Sequence, residues 1–368
     1  MSDLNTLPDP RHYPGSDSHP LHERARRVLA ERELGRMVAA EAELDEALWQ
    51  LLNSEAAMDW QAMHDGMPDQ AVEQVIRSRL AALLTRPAAG ADHHALIFAL
   101  PIVLVAGVRG QHILPGKLPD VAAVQSLLIE HGIFASGADL HLSARLVDAE
   151  QMAQISASQL LRWRDALQYA SAGLPHDFQE SPISVNGDGV YLRFLLGVAM
   201  QPRDAAPVVQ LNAAPGPWAM ALSKLLGEQL KHDALTLFPL PRAPQAWLAA
   251  LDDGRVAQQQ IRFEVFASNA LRKLREAGET PVAVLSAHQG KELRVTIGAE
   301  RNGEEWAGFI WPLGASDRVG VIQQNMVKLL QECHQSDIRI IPDVLPAMKD
   351  QLPYFPIPTE LPDSLTRH

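Results

Sequence analysis

The chain has 368 residues, of which 47% are hydrophobic and 21% are charged, and its formal net charge is -12. This length accommodates two or three domains of an ordinary globular protein. The negative charge disfavours nucleic-acid binding and anionic membranes, because both need a basic protein face. One cysteine, Cys333, excludes an internal disulfide and favours a reducing compartment. No signal peptide or spanning segment is recognisable, so we expect a cytoplasmic protein of bacterial type without membrane insertion.

The N-terminal part of the chain divides into an arm and a helical region. Residues 1–20 are polar and rich in proline, which predicts a flexible arm. Between residues 21 and 87, apolar residues such as Leu44, Leu48 and Leu51 recur at helical spacing, which predicts a helical hairpin or a three-helix unit. The proline, alanine and glycine residues at 87–92 then predict a linker.

Unit A, at residues 93–180, begins with an apolar run at 95–106 that is typical of a strand buried on both faces. Pro101 lies within this run, so we expect a bulge, a break or two short strands there. A helix at 120–131 follows, with Asp120 as its N-cap. A strand at 140–146 and a helix from 148 to about 172 complete the unit.

Unit B, at residues 181–280, begins with a predicted hairpin whose turn is Asn-Gly-Asp-Gly at 186–189. A further strand is predicted at 208–211, then a helix at 218–231 and a strand at 235–240. Two helices fill residues 243–277, and the Asp-Asp-Gly sequence at 252–254 predicts a break between them.

Unit C, at residues 281–352, contains three predicted strands that form a meander, at 282–287, 293–298 and 306–311. A helix, a strand and a short helix follow. These elements begin at residue 317, at residue 338 and at about residue 344. The last segment, at 353–368, is rich in proline and also apolar, which favours an extended tail against the body or a neighbouring chain.

Units B and C share a sequence pattern that indicates an internal repeat. Residues 192–197 read LRFLLG and residues 293–298 read LRVTIG, and each stretch precedes a helix and a strand. A weaker copy of the helix and strand occurs in unit A. The sequence therefore predicts an α/β or α+β fold, with a helical N-terminal region followed by two to three related α/β units with mixed sheets.

Histidine and aspartate recur where the predicted helices end and the next strands begin. These residues are His131, Asp139, His232, Asp233, His334 and Asp337. One interpretation is a set of carboxylate–imidazole sites for a metal or for general base catalysis. The other interpretation is structural. Histidine is favourable at the negative C-terminal end of a helix dipole, and an aspartate side chain accepts hydrogen bonds from backbone N–H groups in a turn. We favour the structural interpretation, and we predict no metal site.

The usual nucleotide and catalytic motifs are absent from the sequence. It contains no Gly-x-Gly-x-x-Gly, no Walker lysine motif, no Gly-x-Ser-x-Gly and no His-Glu-x-x-His. The turn at 186–189 lacks the alternating acidic ligands of a calcium loop. We therefore predict no cofactor.

Two functions remain open at the level of sequence. The first is a cytosolic, non-enzymatic interaction or regulatory protein, whose helical N-terminus and Pro-rich C-terminus contact a protein partner or a second copy. The second is an enzyme or a small-molecule sensor with its site at the junction between α/β units. The six recurring histidines and aspartates would then be the first residues to test.

Overall fold

The structure is a computed structural model. The residues that it describes are 19–53, 67, 69–85, 93–108, 111–167, 182–186, 189–202, 216–233, 235–288, 292–299, 306–314 and 317–341. Several predicted segments lie outside them: nearly all of the N-terminal arm, the linker, the strand at 208–211, the helix from about 344 and the Pro-rich tail. Chain contacts divide the protein into two units, Met1–Leu83 and Leu84–His368.

The first unit is helical, which confirms the prediction of a helical N-terminal region. Its described helices are α1 (Pro20–Ala30), α2 (Leu34–Asn53) and α3 (Gln70–Thr85), the last of which ends just past the unit boundary. Apolar residues at helical spacing, such as Leu44 and Leu48, are fully buried. Burial of this stripe holds the short helices in place, since isolated helices of this length are marginal in water.

An ion network ties α2 to α3 in the first unit. The guanidinium of Arg79 donates to both carboxylate oxygens of Asp45 at 2.7 Å and to Glu41 at 2.9 Å. The Asp45 side chain is only 8% exposed. The hydrogen bond to Asp45 raises the pKa of Arg79 against the opposing effect of burial. Arg79 therefore stays charged, and its planar group orients the two helices.

The second unit alternates strands and helices, as the sequence predicts. Its described elements are β1 (His93–Val108), β2 (Gln111–Leu114), α4 (Val121–Glu130), β3 (Asp139–Val147), α5 (Ala149–Ala153), α6 (Ala157–Leu167), β4 (Ile183–Asn186), β5 (Gly189–Pro202), α7 (Pro217–Gln229), β6 (Leu235–Pro241), β7 (Gln245–Ala246), α8 (Trp247–Glu276), β8 (Pro281–His288), β9 (Glu292–Ala299), β10 (Trp306–Pro312), α9 (Val319–Glu332) and β11 (Ile338–Ile341).

The first sheet has the strand order β3-β5-β1-β6, with every neighbouring pair antiparallel and the short β7 beside β1. Strand β1 is continuous, so the break expected at Pro101 is wrong. Proline cannot donate to a ladder. Strand β1 accommodates Pro101 because β6 begins to pair with β1 at Ile102, whereas β7 pairs with it at Phe98 and Ala99. Pro101 thus lies in the gap between two partner strands.

Both faces of the first sheet carry an apolar core. One core contains Phe98, Leu100 and residues of α4 and α7, such as Leu128 and Leu222. The other core contains Phe194 and Leu196 of β5 together with Trp163 and Trp247, whose rings lie 6.2 Å apart. Burial on both faces explains why β1 and β5 read as nearly continuous apolar runs rather than alternating ones.

The second sheet has the order β10-β9-β8-β11 and is mixed, since β11 runs parallel to β8 while the other pairs are antiparallel. The predicted meander is confirmed. One face packs against the C-terminal half of α8 and against α9. Residues of this third core include Phe263, Leu271, Val295, Ile297 and Met326.

Helix α8 is a single helix of 30 residues, so the break expected at 252–254 is wrong. Gly254 is the residue that suggested a break. A Cβ atom at Gly254 would lie 2.9 Å from two ring carbons of Phe194 and 3.1 Å from a methyl of Leu192. Glycine is therefore required here for the close approach of helix and strand rather than for a turn.

The connections between strands differ in the two regions that share the LRFLLG and LRVTIG pattern. Most described strands of units A and B form the first sheet, β2 and β4 pair in a separate two-stranded sheet, and unit C forms the second sheet. The similar strands, β5 and β9, both occupy inner positions. However, the outer neighbour β3 precedes β5 in the chain, whereas β10 follows β9. Strand β6 is antiparallel to its neighbour, whereas β11 is parallel. The sequence similarity thus does not extend to the connections.

Candidate functional site

The recurring histidines lie where the described helices end. His131 is the C-cap of α4, and its N–H donates to the carbonyl of Leu127 at 3.1 Å. His334 follows α9 with a φ of 59°, which is the left-handed conformation that often closes a helix. Arg275 donates to its carbonyl oxygen at 3.0 Å. His232 is exposed after α7, with its ring centroid 5.0 Å from that of His112.

The recurring aspartates contact residues close to them in the chain. Asp139 opens β3, and its carboxylate lies 3.0 Å from Nε2 of His141. Asp337 precedes β11 and accepts from Arg339 at 2.9 Å. Asp233 is exposed in the turn before β6. Across the described ranges, no group of three or more His, Cys, Asp and Glu residues is placed to hold a metal ion.

A buried polar row lies on the second sheet and was not singled out in the sequence. It consists of Ser286, His288, Arg294 and Thr296, which are 1–7% exposed. These residues alternate with core residues along β8 and β9, so they occupy the sheet face opposite the third core. The hydroxyl of Ser286 is 3.3 Å from Nε2 of His288, and Arg294 Nε donates to Glu292 at 2.7 Å.

The residue types of this polar row suit catalysis, but their burial does not. A serine beside a histidine is the start of a nucleophile–base pair. Ser286 is 2% exposed and His288 is 1% exposed, so a substrate has no access to them in this conformation. Buried polar groups are ordinarily hydrogen-bonded to one another for stability alone. We therefore interpret the polar row as structural.

A small cavity of about 60 Å³ lies between α8 and the start of α9. It is lined by Asp252, Arg255 and Asp317, among others. Burial raises the pKa of Asp317, a hydrogen bond from the Gly314 N–H at 2.8 Å opposes that rise, Asp252 adds to it and Arg255 counteracts it. The cavity is far below the several hundred Å³ of a typical cofactor site.

A much larger apolar site lies beside the edge strand β6. Two neighbouring cavities, of about 470 Å³ and 620 Å³, lie along β6 between it and the middle of α8. Leu240 lines the first and Phe238 the second. Phe238 is 60% exposed and Met220, on α7, is 72% exposed. We call these two cavities and their lining residues the β6 groove.

The groove arises because one helix packs on two sheets. Ala250, Gly254 and Ala257 bury the N-terminal half of α8 against the first sheet, and Phe263 and Leu271 bury its C-terminal half against the second. The middle turns of the helix, at residues 260–266, line the cavities. They leave Val105 and Phe238 of the first sheet without a full helical cover.

The electrostatic character of the groove is opposite to that of the chain. Its lining includes Lys224, Arg242 and Arg262, and no carboxylate occurs among its described lining residues. The chain as a whole carries -12. Asp253 lies 3.5 Å from Nε of Arg242 on the rim and offsets part of this positive charge. An apolar floor with a cationic rim is thus the chemistry that the site offers.

The sequence contained one usable signal for this site. Strand β6 reads LTLFPLP, and two prolines within a strand indicate an edge position, because proline cannot donate to a ladder. Sequence reasoning identified the strand but did not draw that conclusion. Nothing local in the sequence indicates Met220, whose exposure depends on how α7 packs.

None of the described helices is both long enough and apolar enough to cross a lipid bilayer. The chain matches no protein-family model, no curated protein and no solved structure.

Proposed function

We propose that the chain is a non-enzymatic interaction protein that binds a protein partner in the β6 groove. The observation that carries this proposal is the gathering of exposed apolar side chains around two adjoining cavities. Met220, Phe238 and Leu240 are 72%, 60% and 38% exposed. Contiguous apolar surface of this kind, bordered by polar residues, is typical of sites where another macromolecule docks.

The rival function, an enzyme or a small-molecule sensor, has less support. The titratable lining residues of the groove are cations and one tyrosine, Tyr191, so no acid–base pair faces it among the described residues. The Ser286–His288 pair is covered. The groove also lies beside an edge strand and leaves Met220 and Phe238 exposed to solvent, which suits the surface of another chain better than an enclosed small molecule.

The remaining parts of the proposal rest on the sequence. A net charge of -12 disfavours nucleic acid as the partner, and one cysteine favours a cytoplasmic location. We also propose that the protein is bacterial and regulatory, and that its β5 and β9 regions derive from an internal repeat. Self-association is the alternative to a separate partner.

Site-specific photo-crosslinking in cells tests the proposal. A photoreactive p-benzoylphenylalanine replaces Met220 in the full chain, and a matched control replaces Ile113, which is 65% exposed on β2 and lines neither cavity. We expect a discrete crosslinked product from Met220 that Phe238→Asp removes, and none from Ile113. Equal products from both positions, or no product from Met220, would contradict the proposal.

A further inference from the structure

We infer that the element filling the β6 groove is an amphipathic helix of a partner protein, with acidic residues flanking its apolar stripe. This inference rests on the proposed function, since it names the partner chemistry of the same site. Three features of the groove carry it: a strand edge that cannot accept another strand, a helical wall with an apolar stripe, and a cationic rim.

The outer edge of β6 is unsuited to strand addition. A strand added to an edge needs N–H donors along it. Pro239 and Pro241 lack an N–H. They are two residues apart in β6, so both missing N–H groups would have pointed to the same edge of the strand. The carbonyl oxygen of Pro239 also accepts the hydroxyl of Ser223 from α7. A partner therefore engages side chains in the groove rather than the backbone of β6.

The groove walls have the geometry that receives a helix. On one side, Ala257, Ile261 and Val265 line the cavities at intervals of four residues, which places them along one face of α8. On the other side, Phe238 and Leu240 point to the same face of β6 because alternate residues of a strand do so. A helix presents matching apolar residues at i, i+4 and i+7.

The rim determines the charge of the partner. Lys224 and Arg262 are exposed and Arg242 is 40% exposed, so all three cations are accessible beside the apolar floor. Asp253 offsets part of the charge on Arg242 only. Acidic residues flanking the apolar stripe of a partner helix would meet these cations, and the complementarity would speed association and select against basic helices.

Binding of synthetic peptides to the full chain tests this inference. The probe is a fluorescein-labelled peptide of about 16 residues, with leucine at i, i+4 and i+7, glutamate on both flanks and alanine elsewhere. Its controls carry lysine for glutamate, or a central proline that breaks the helix. Fluorescence anisotropy should show that the glutamate peptide binds at least about tenfold more tightly than either control at low salt.

Groove variants locate the binding site. Phe238→Asp and Met220→Asp should each weaken binding of the glutamate peptide by about 30-fold or more, as expected of a central apolar contact. Lys224→Glu should reduce the difference in binding affinity between the glutamate peptide and the lysine peptide. Ile113→Asp makes the same change on an exposed apolar residue outside the groove, and it should leave binding unchanged. Circular dichroism of each variant checks that it is folded.

The outcomes separate this inference from the proposed function. If the proline peptide or the lysine peptide binds as tightly as the glutamate peptide, or no peptide binds, the acidic-helix inference is overturned. The proposed function then still stands or falls on the crosslink from Met220. A crosslink from Met220 to residues 342–368 of the same chain, or to a second copy, would overturn the inference by identifying a different occupant.

Discussion

The β6 groove and the buried polar row invert the usual distribution of side chains within one unit. In the groove, Phe238 and Leu240 are exposed, whereas Ser286 and His288 in the polar row are almost fully covered. Globular proteins ordinarily bury phenylalanine and expose polar residues. The inversion teaches which residues hold the fold and which are available to a ligand. The polar row has the residue types of a catalytic site, and the groove has the accessibility of a binding site.

The largest expected effect sharpens this contrast on two phenylalanines. Phe263 is fully buried in the third core, so Phe263→Ala should lower the free energy of unfolding by about 3–5 kcal/mol through lost burial and a residual cavity. Phe238→Ala should change it by less than about 0.5 kcal/mol, as for other surface positions. Urea unfolding followed by circular dichroism measures both. Equal destabilisation would mean that Phe238 belongs to the core.

The next largest expected effect on stability concerns the ion pair between Arg294 of the polar row and Glu292. Arg294 is 7% exposed and its partner Glu292 is 22% exposed at the side chain. Arg294→Ala leaves a half-buried carboxylate without this cation, which should cost about 2 kcal/mol of unfolding free energy after allowance for solvent at Glu292. The double variant Arg294→Met with Glu292→Gln should recover most of that loss. No recovery would show that Arg294 acts through other contacts.

A smaller effect tests whether Ser286 is structural or reactive. Ser286→Ala removes one hydrogen bond to His288 and should cost about 1 kcal/mol. The native protein should also resist labelling by a fluorophosphonate, because the hydroxyl is covered. Mass spectrometry of tryptic peptides reads the labelling, with urea-unfolded protein as the control for sample handling. Stoichiometric modification of Ser286 in the native state would return it to the list of candidate nucleophiles.

The smallest effect concerns Asp317, which lies between the two extremes of burial. Burial raises the pKa of Asp317 above its ordinary value of 3.8, so the ionised carboxylate opposes folding. This cost is present at neutral pH and disappears as pH falls through the raised folded pKa towards 3.8, since the carboxyl is then protonated in both states. Asp317→Asn should raise the Tm at pH 7 and have no such effect near pH 3. A lowered Tm at pH 7 would contradict this sign.

Much of the fold was predictable from local pattern. The continuous apolar run of β1, the turns and short strands of β8 to β10 and the helical stripe of α2 are each patterns that a short window of sequence contains. The errors involved distant partners. The sequence around Gly254 is typical of a break. Its actual role, the close approach to Phe194, exists only once α8 packs on β5. Pro101 likewise predicts a break, because proline lacks an N–H. The gap between β6 and β7 that accommodates it is a tertiary feature that the local sequence does not show.

The candidate site was less predictable than the fold. The histidines and aspartates attracted attention because they recur, and His131 and His334 lie at helix ends. The groove depends instead on where α8 diverges from the first sheet, which no local pattern encodes. Only the prolines of β6 indicated its edge position in advance.

Helix α8, about 45 Å long at 1.5 Å per residue, is a member of two hydrophobic cores at once. Neither sheet can lose its packing against this helix without loosening the support of the other, so the two sheets should melt in a single cooperative transition. Amide protons of β5 and β9 should accordingly exchange with similar free energies of opening. A ligand bound to the central turns of α8 would then slow amide exchange in both sheets together, including in strands that it does not contact.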